Sequence, residues 1–247
     1  MSPTPRTWLL LPASIIVASL IISGTIWLSA RAFVEGDMAP VVVADESKAS
    51  SAPATPAVPA VDSASVSAID SPVIGDPSAP VVMAYWFDYQ CPFCRQFEQA
   101  TMPSLIENYV NTGKLRIVFK DFAFLGPDST TAATIGRAVW ATFPKAFYTW
   151  HKAMFQKQDQ ENSGWGSRED ILAMTKTIDG IDEAKVEEAL NANAATYQAR
   201  MDSDLQEGNS IGVSGTPTAI IGDKVVPGAA EYRYVSNLID RVTAAKR

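Results

Sequence analysis

The two cysteines of this chain lie three positions apart, and they limit what it can fold into more than any other feature. Cys91 and Cys94 stand in the stretch YWFDYQCPFCRQFE and are the only cysteines among 247 residues. A disulfide stabilises a fold most when it closes a long loop, so a bond at this spacing contributes little. A hydrophobic core must supply the stability instead, and hydrophobic residues make up 47% of the chain. The spacing favours two sulfurs that open and close a bond between themselves.

A metal site and a permanently closed disulfide are the alternative roles for the cysteine pair. A structural zinc site usually needs four ligands, but the chain offers no further cysteine and one histidine, His151. A permanently closed disulfide is the second alternative, although the position of the cysteine pair between a strand and a helix argues against it. His151 lies in a predicted helix, where we expect a packed or surface histidine rather than a metal ligand.

The charge of the chain argues against a nucleic-acid partner. The net charge is −7, the isoelectric point is about 4.8, and no run of lysine and arginine occurs. Nucleic-acid-binding proteins carry basic patches that neutralise phosphates, and this sequence has none.

The N-terminal segment predicts a membrane anchor at residues 1–33. No charged residue occurs from Trp8 to Ala30, and at about 1.5 Å per residue this length crosses a hydrocarbon core of about 30 Å. The charge of Arg6 slightly favours the N-terminus inside, which places the rest of the chain outside the cytoplasm. The alternative is a cleaved signal peptide with Ala30–Ala32 as its cleavage site. Both alternatives export the domain.

The residues that follow the apolar segment predict a flexible linker. Residues 34–70 are dominated by alanine, serine, proline and valine, and they show no helical or strand period. Repeated proline favours an extended, semi-rigid chain. We therefore expect a tether that holds a folded domain, residues 71–247, away from the membrane.

The first part of the folded domain predicts a βαβ unit. PVVMAYWF is a buried strand by its composition, and a helix begins at CPFC and is kinked at Pro103. LRIVFKDF, residues 115–122, is a second strand. Strand, helix and strand in this order predict two parallel neighbouring strands.

A helical block at about residues 128–208 separates this unit from a second strand region. Its helices are predicted at 129–155, 168–177 and 182–207, with aromatic residues of the first one expected in the core. A hairpin around Gly222 and Asp223 and a last helix at 231–245 follow. The predicted order is β, α, β, a helical block, β, β, α, which is an α/β fold.

The position of the pair at the start of a helix predicts its chemistry. Unpaired backbone N–H groups and the helix dipole favour the thiolate of Cys91, so its pKa should be low. Pro92 suits the first helical turn, where its missing N–H is not needed. Cys94 lies on the same side of that turn, more buried, with its side chain directed back towards Cys91. We expect an exposed attacking thiol on Cys91, a mixed disulfide formed there, and its resolution by Cys94.

Three motifs together resemble the DsbA-like thiol–disulfide oxidoreductases. They are GDPSAPVVMAYWFDYQCPFC, VFKDFAFLG and GVSGTPTAIIG. The resemblance implies a thioredoxin-like fold with an inserted helical domain, and the membrane-anchored members of this family are also similar in their N-terminal arrangement.

The resemblance also implies a set of site residues. It implies that the Thr216–Pro217 peptide is cis and faces the cysteine pair, where it excludes metal and leaves backbone groups free to bind a substrate peptide as an extra strand. It places Glu98 beneath the site near Lys120, where a buried carboxylate assists proton transfer to or from Cys94. The alternative for Glu98 and Lys120 is a satisfied ion pair without a catalytic role.

Two positions depart from the strongly oxidising members of the family. Those members often have a histidine where Phe93 stands, and phenylalanine supplies no charge to stabilise the thiolate. Thr216 before the proline also occurs in isomerase-type relatives. Those isomerases use a separate N-terminal dimerisation domain, and this chain has only a tether there.

The sequence therefore predicts a single-pass membrane protein whose extracytoplasmic domain exchanges disulfides with unfolded or reduced exported proteins. We favour an oxidase. No metal or organic cofactor is expected, because the disulfide itself carries two electrons, and the resemblance implies a quinone-linked membrane partner that reoxidises it. The alternatives are a reductase or isomerase with the same site, and a non-catalytic binding module with a closed disulfide.

Overall fold

The structure, a computed structural model, describes residues 61–246. The predicted membrane anchor and residues 34–60 of the predicted linker lie outside the described residues. Within the described part, no helix combines the length and apolar character needed to span a bilayer.

Five strands of the described chain form one sheet in the order β1-β3-β2-β4-β5. Strand β2 pairs in parallel with β3, and the β1–β3, β2–β4 and β4–β5 pairs are antiparallel. Every residue of β2 is buried, as expected for a central strand that is covered on both faces. The strands are β1 (Val73–Ile74), β2 (Val81–Phe87), β3 (Leu115–Asp121), β4 (Thr218–Ile221) and β5 (Lys224–Pro227).

A 3₁₀ turn at Ser63–Ser65 precedes β1, and the α-helices lie between β2 and β3, between β3 and β4, and after β5. A π-helical turn at Ile106–Val110 continues α2, and a 3₁₀ turn at Pro144–Ala146 separates α3 from α4. The helices are α1 (Pro92–Ala100), α2 (Met102–Leu105), α3 (Pro127–Thr142), α4 (Phe147–Lys157), α5 (Arg168–Thr175), α6 (Glu183–Ser210) and α7 (Tyr232–Ala245). The predicted βαβ unit, helical block, hairpin and last helix are all present in this order.

Two predicted helices are interrupted. The helix that begins at the cysteine pair ends at Ala100, and Thr101 separates it from α2, two residues before Pro103. The helix predicted at 129–155 is divided at Phe143, whose backbone is non-helical. Pro144 follows directly, and because proline disfavours the helical region for the residue before it, the helix ends there. The sequence did not predict this second division, which lets α4 take its own direction.

Aromatic rings fill the space between the sheet and helices α1 and α4. Tyr85 stacks on Phe97 with ring centroids 5.2 Å apart, and the ring of His151 lies 4.8 Å from those of Phe87 and Phe119. Phe147, Trp150 and Phe155 are also buried, which confirms the prediction that they belong to the core. Phe143, predicted with them, is half-buried and packs against this core. This packing brings α4 of the helical block beneath the N-terminus of α1.

The folded chain begins earlier than residue 71, where the sequence placed the end of the linker. Ser63 donates from Oγ to the Val82 carbonyl and accepts from the Gly222 N–H, both at 2.8 Å. Val66 is buried with Trp86 on the second face of the sheet. The apolar residues of this segment are few and show no strand or helix period, so the sequence alone could not distinguish the segment from the tether.

Candidate active site

The cysteine pair lies at the N-terminus of α1, immediately after β2. Cys91 is the N-cap residue and Pro92 occupies the first turn. Both cysteines are free thiols. Cys94 is fully buried, as predicted, but Cys91 is only 4% exposed rather than open to solvent. The reason is that the segment around Thr216 covers it: the Cys91 Sγ lies 3.3 Å from the Thr216 carbonyl oxygen.

The two thiols have pKa values shifted in opposite directions. A hydrogen bond from the Cys94 thiol is the largest influence that lowers the pKa of Cys91, to about 6, and burial opposes it. The Thr216 hydroxyl and the backbone N–H groups of Phe93 and Cys94 lower it further. Burial raises the pKa of Cys94 well above its usual value, and the bond to Cys91 adds to this. At neutral pH the pair therefore holds one thiolate and one thiol.

The Thr216–Pro217 peptide is cis, as the resemblance implied. It precedes β4, and its neighbours hold it in place: Gly228 N–H donates to the Pro217 carbonyl at 2.7 Å, and Thr218 Oγ1 donates to the Gly215 carbonyl at 2.7 Å. The structure thus brings Thr216 and Pro217, which are far from the cysteines in the sequence, against Cys91.

Asp88 organises the loops around the pair, and it is not among the residues that the sequence predicted for the site. Its backbone carbonyl accepts from the Cys91 N–H at 3.1 Å. Its carboxylate is buried and joins three segments, since it accepts from Gln90 N at 2.8 Å, Ser129 Oγ at 2.6 Å, Phe124 N at 3.0 Å and Leu125 N at 3.1 Å. An aspartate directly after a buried strand, in YWFDYQC, was the signal that could have indicated it.

Gln158, at the C-terminus of α4, connects the helical block to the cysteine loop. Its side-chain amide donates to the carbonyl oxygens of Tyr89 at 2.6 Å and Cys91 at 3.1 Å. Arg95 of α1 in turn donates to the Gln158 carbonyl at 2.9 Å. The inserted helices therefore support the active-site loop directly.

Glu98 and Lys120 are both buried, but they do not contact each other, so the expected pair is wrong. Lys120 is bonded to Asp204, to Glu207 at 2.8 Å and to the Ser67 carbonyl at 3.0 Å. The reason is the alternation of side chains along a strand. Lys120 aligns with Trp86 in the register and lies with it on the second face of the sheet, whereas α1 covers the face of Phe119.

The partner of Glu98 is His151, the single histidine. His151 is 0% exposed. Its Nε2 lies 3.1 Å from Glu98 Oε1, and its Nδ1 lies 2.9 Å from the Tyr89 hydroxyl. The sequence predicted a packed or surface histidine. Its position one residue after the buried Trp150, on the apolar face of α4, indicated the burial but not the partner.

Two aromatic side chains are exposed, one in the first turn of α1 and one on the loop after β3 that Asp88 holds. Phe93, between the cysteines, is 61% exposed, and Phe124, after β3, is 51% exposed. The part of the chain that the structure describes contains no group of three or more acidic, histidine or cysteine residues placed to hold a metal ion.

Comparison with known proteins gives consistent matches over the described domain. The family model described as Thioredoxin matches residues 67–241. Disulfide bond formation protein D of Bacillus subtilis is 27% identical over 175 residues, which cover 71% of this chain and 78% of that protein.

Two solved structures are similar in both sequence and fold. The oxidised form of BdbD from Bacillus subtilis has a TM-score of 0.65 and 26% identity, and the match covers 71% of this chain and 94% of that one. The thiol-disulfide exchange protein alpha-DsbA2 from Wolbachia pipientis has a TM-score of 0.62 and 27% identity, covering 70% of this chain and 87% of that one.

Proposed function

The chain belongs to the DsbA-like thioredoxin-fold family and is a protein thiol–disulfide oxidoreductase, and on this premise we propose that it acts as an oxidase of exported proteins. The observation that carries the proposal is the contrast within the pair: Cys91 has a pKa of about 6, while burial keeps Cys94 protonated. A stabilised thiolate favours the reduced enzyme, and an enzyme whose reduced form is stable passes its disulfide on to other thiols.

The reaction follows from this arrangement. A thiolate of the reduced substrate attacks Cys91 Sγ, the Cys91–Cys94 bond breaks, and Cys94 leaves and takes up a proton. The second substrate thiol loses its proton and attacks the substrate sulfur of the mixed disulfide, which releases Cys91 as a thiolate. Two electrons pass from the substrate to the pair, and Glu98 supplies the proton that Cys94 needs.

The surface around the pair suits an unfolded peptide. The backbone next to Pro217 would pair with the substrate as an extra strand. The exposed rings of Phe93 and Phe124 would contact its apolar side chains. Both interactions are independent of a specific sequence, as an enzyme with many exported clients requires.

We place the enzyme at the membrane with its catalytic domain outside the cytoplasm. The apolar segment from Trp8 to Ala30 supports a single-pass anchor, and the resemblance to membrane-anchored relatives supports a quinone-linked membrane partner that reoxidises the pair. No cofactor is needed in this proposal, because the disulfide carries both electrons.

A reductase or isomerase with the same site is the second candidate. It is favoured by Phe93, which supplies no charge to the thiolate, and by Thr216, which isomerase-type relatives share. A non-catalytic binding module is not supported, because the chain belongs to a family of enzymes.

The redox potential separates an oxidase from a reductase. We expect equilibration of the pair with glutathione buffers to give a potential above about −200 mV, whereas a value near that of thioredoxin, about −270 mV, would indicate a reductase. The Cys94→Ala variant should accumulate mixed disulfides with exported proteins, and the Cys91→Ala variant, as the matched control, should accumulate none. A wild-type pair that stays oxidised in strongly reducing buffer would contradict both candidates.

A further inference from the structure

The face of the sheet beneath the cysteines contains buried polar groups that the reaction above uses only in part. Glu98 lies on α1 one turn after Cys94, and His151 reaches it from α4. Their side chains are 1% and 0% exposed. Burying polar or charged groups without hydrogen-bond partners is costly, so these contacts must fix how each group is protonated and oriented.

Each ring nitrogen of His151 contacts one polar group. The Tyr89 hydroxyl contacts His151 Nδ1 at 2.9 Å, and His151 Nε2 contacts Glu98 Oε1 at 3.1 Å. A neutral imidazole has one donor and one acceptor. If Tyr89 donates to Nδ1, then Nε2 donates to Oε1, and the Tyr89 hydroxyl, both ring nitrogens and Oε1 are satisfied with a single consistent set of protons.

The second carboxyl oxygen of Glu98 takes no part in these hydrogen bonds. Glu98 Oε2 has no hydrogen-bond partner among the described residues, and the hydroxyls of Tyr85 and Tyr148 are likewise buried and unpartnered. Burial raises the pKa of Tyr85 well above its usual value, and the charges of Glu98 and then Cys94 raise it further. Burial and the charge of Glu98 also raise the pKa of Tyr148.

We infer that His151 is the positioning residue of the active-site acid: it holds Glu98 by Oε1 and directs Oε2, beside the Tyr85 hydroxyl, towards Cys94. This inference rests on the proposed function and adds a residue to it. Lys120, the partner that the resemblance implied, cannot serve because it lies on the other face of the sheet.

Glu98 and its neighbours account for the proton that Cys94 gains when the disulfide opens and loses when it closes. When the Cys91–Cys94 bond breaks, Cys94 leaves as a thiolate and takes the proton of Glu98 Oε2 through the Tyr85 hydroxyl or a water beside it. The N–H of His151 stabilises the carboxylate that remains. When the pair is reoxidised, Cys94 loses this proton before it attacks Cys91, and Glu98 takes the proton back.

Titratable groups from every packed element surround the His151–Glu98 pair, and none supplies a competing cation at hydrogen-bond distance. Asp121 of β3 interacts with His151 electrostatically, without a hydrogen bond, and it forms an ion pair with Arg137. The remaining groups are Tyr85 of β2, Tyr89 after β2, Tyr148 of α4, and Cys91 and Cys94 at α1.

The test measures how fast dithiothreitol reduces the Cys91–Cys94 disulfide in the full-length chain, as a function of pH. General acid catalysis contributes about 10²–10⁴-fold to a rate. We expect Glu98→Gln and His151→Phe each to slow the reduction at least about tenfold at neutral pH and to change its pH profile. The double variant should be no slower than the slower single variant, because the two residues act as one unit.

The matched control is Thr175→Val. It removes the hydroxyl that accepts from Trp150 Nε1 at 2.8 Å, so α4 loses a buried side-chain hydrogen bond one residue from His151 without any change at Glu98. We expect its rate and pH profile to match those of the wild type. The inference is overturned if His151→Phe slows the reaction no more than this control, or if the effects of His151→Phe and Glu98→Gln multiply in the double variant.

Two further variants keep the test decisive if His151→Phe does not fold. His151→Gln retains an N–H that can donate to Glu98 and should keep most of the rate, whereas Tyr89→Phe removes only the partner of Nδ1 and should lose part of it. Infrared spectra of the oxidised protein give an independent readout: the carboxylic acid band that Glu98→Gln removes should shift in Tyr89→Phe and not in Thr175→Val. An unshifted band and unchanged rates would refute the role of His151, whereas a wild-type disulfide that dithiothreitol cannot reduce would refute the proposed function instead.

Discussion

At the scale of single residues, the low pKa of Cys91 arises without a histidine between the cysteines. The strongly oxidising relatives often place a histidine between the cysteines, and here Phe93 points to solvent instead, 61% exposed. The low pKa of Cys91 comes from its contact with Cys94, from Thr216 and from the N-terminal N–H groups of α1. A charged neighbour is therefore not required to ionise Cys91.

We predict that Cys94→Ala raises the pKa of Cys91 from about 6 towards the unperturbed value of about 8.5, because it removes the strongest donor to the thiolate. The measurement is the rate of alkylation of reduced protein against pH. Phe93→Leu, which changes an exposed uncharged side chain, is the control and should leave the midpoint near 6. An unchanged midpoint in Cys94→Ala would show that Thr216 and the helix N-terminus are sufficient to ionise Cys91.

The same shift predicts how the stability of the reduced protein depends on pH. A thiol whose pKa is depressed in the folded state stabilises that state fully above its unfolded pKa of about 8.5, and the contribution is lost as the pH falls through about 6. The oxidised protein has no thiolate there. The free energy of unfolding of the reduced form should therefore fall relative to the oxidised form between about pH 8.5 and pH 5, as measured by urea unfolding of both forms.

At the scale of secondary-structure elements, the active site depends on where helices end. The interruption at Phe143 gives α4 a separate direction from α3, and the C-terminus of α4 then carries Gln158 to the carbonyl of Cys91. Asp88 joins the end of β2 to the loop after β3 and to the first turn of α3. Elements distant in sequence thus determine the conformation of the cysteine loop.

Asp88→Ala should lower the free energy of unfolding by about 3 kcal/mol or more, because it leaves three buried or half-buried backbone N–H groups without their acceptor. Ser129→Ala removes one of the donors and should cost about 1 kcal/mol. Urea unfolding of the two variants in the same redox state checks both values. Equal small effects would mean that the loops around the cysteines do not depend on this carboxylate.

At the scale of the whole molecule, the residues before β1 form part of the folded domain. Ser63 bridges β2 and the turn of the β4–β5 hairpin, and Ser67 contacts Lys120 and Glu207. Lys120 belongs to a buried charge network in which Arg137 of α3 bonds Asp121 and Asp204. The N-terminal segment therefore stabilises the junction between the sheet and the helical block.

A chain that begins at residue 72 should be less stable than one that begins at residue 61, by about 3–5 kcal/mol, because it loses the burial of Val66 and the hydrogen bonds of Ser63 and Ser67. Urea unfolding of the two purified chains gives the difference. The pKa of Cys91 should be the same in both, since its partners lie elsewhere. Equal stabilities would show that the segment only lies against the domain.

The sequence by itself determined the order of elements and the pair of cysteines on which the proposed reaction depends. Both depend on local features: an apolar strand, a helix start with proline in its first turn, and two sulfurs three residues apart. The motifs that resemble the DsbA-like family also indicated Thr216 and Pro217, although the contact of Thr216 with Cys91 spans more than half of the folded domain.

Only the tertiary structure decided which side chains support the pair. Glu98, His151 and Tyr89 meet because α1 and α4 pack on one face of the sheet, and Lys120 is excluded because neighbouring residues of β3 point to opposite faces. A hydrophobic pattern shows that a residue is buried, but the partner of a buried polar group depends on the packing of elements that are far apart in the chain. That packing is also what makes Cys91 a thiolate beneath Thr216 and keeps Cys94 a thiol.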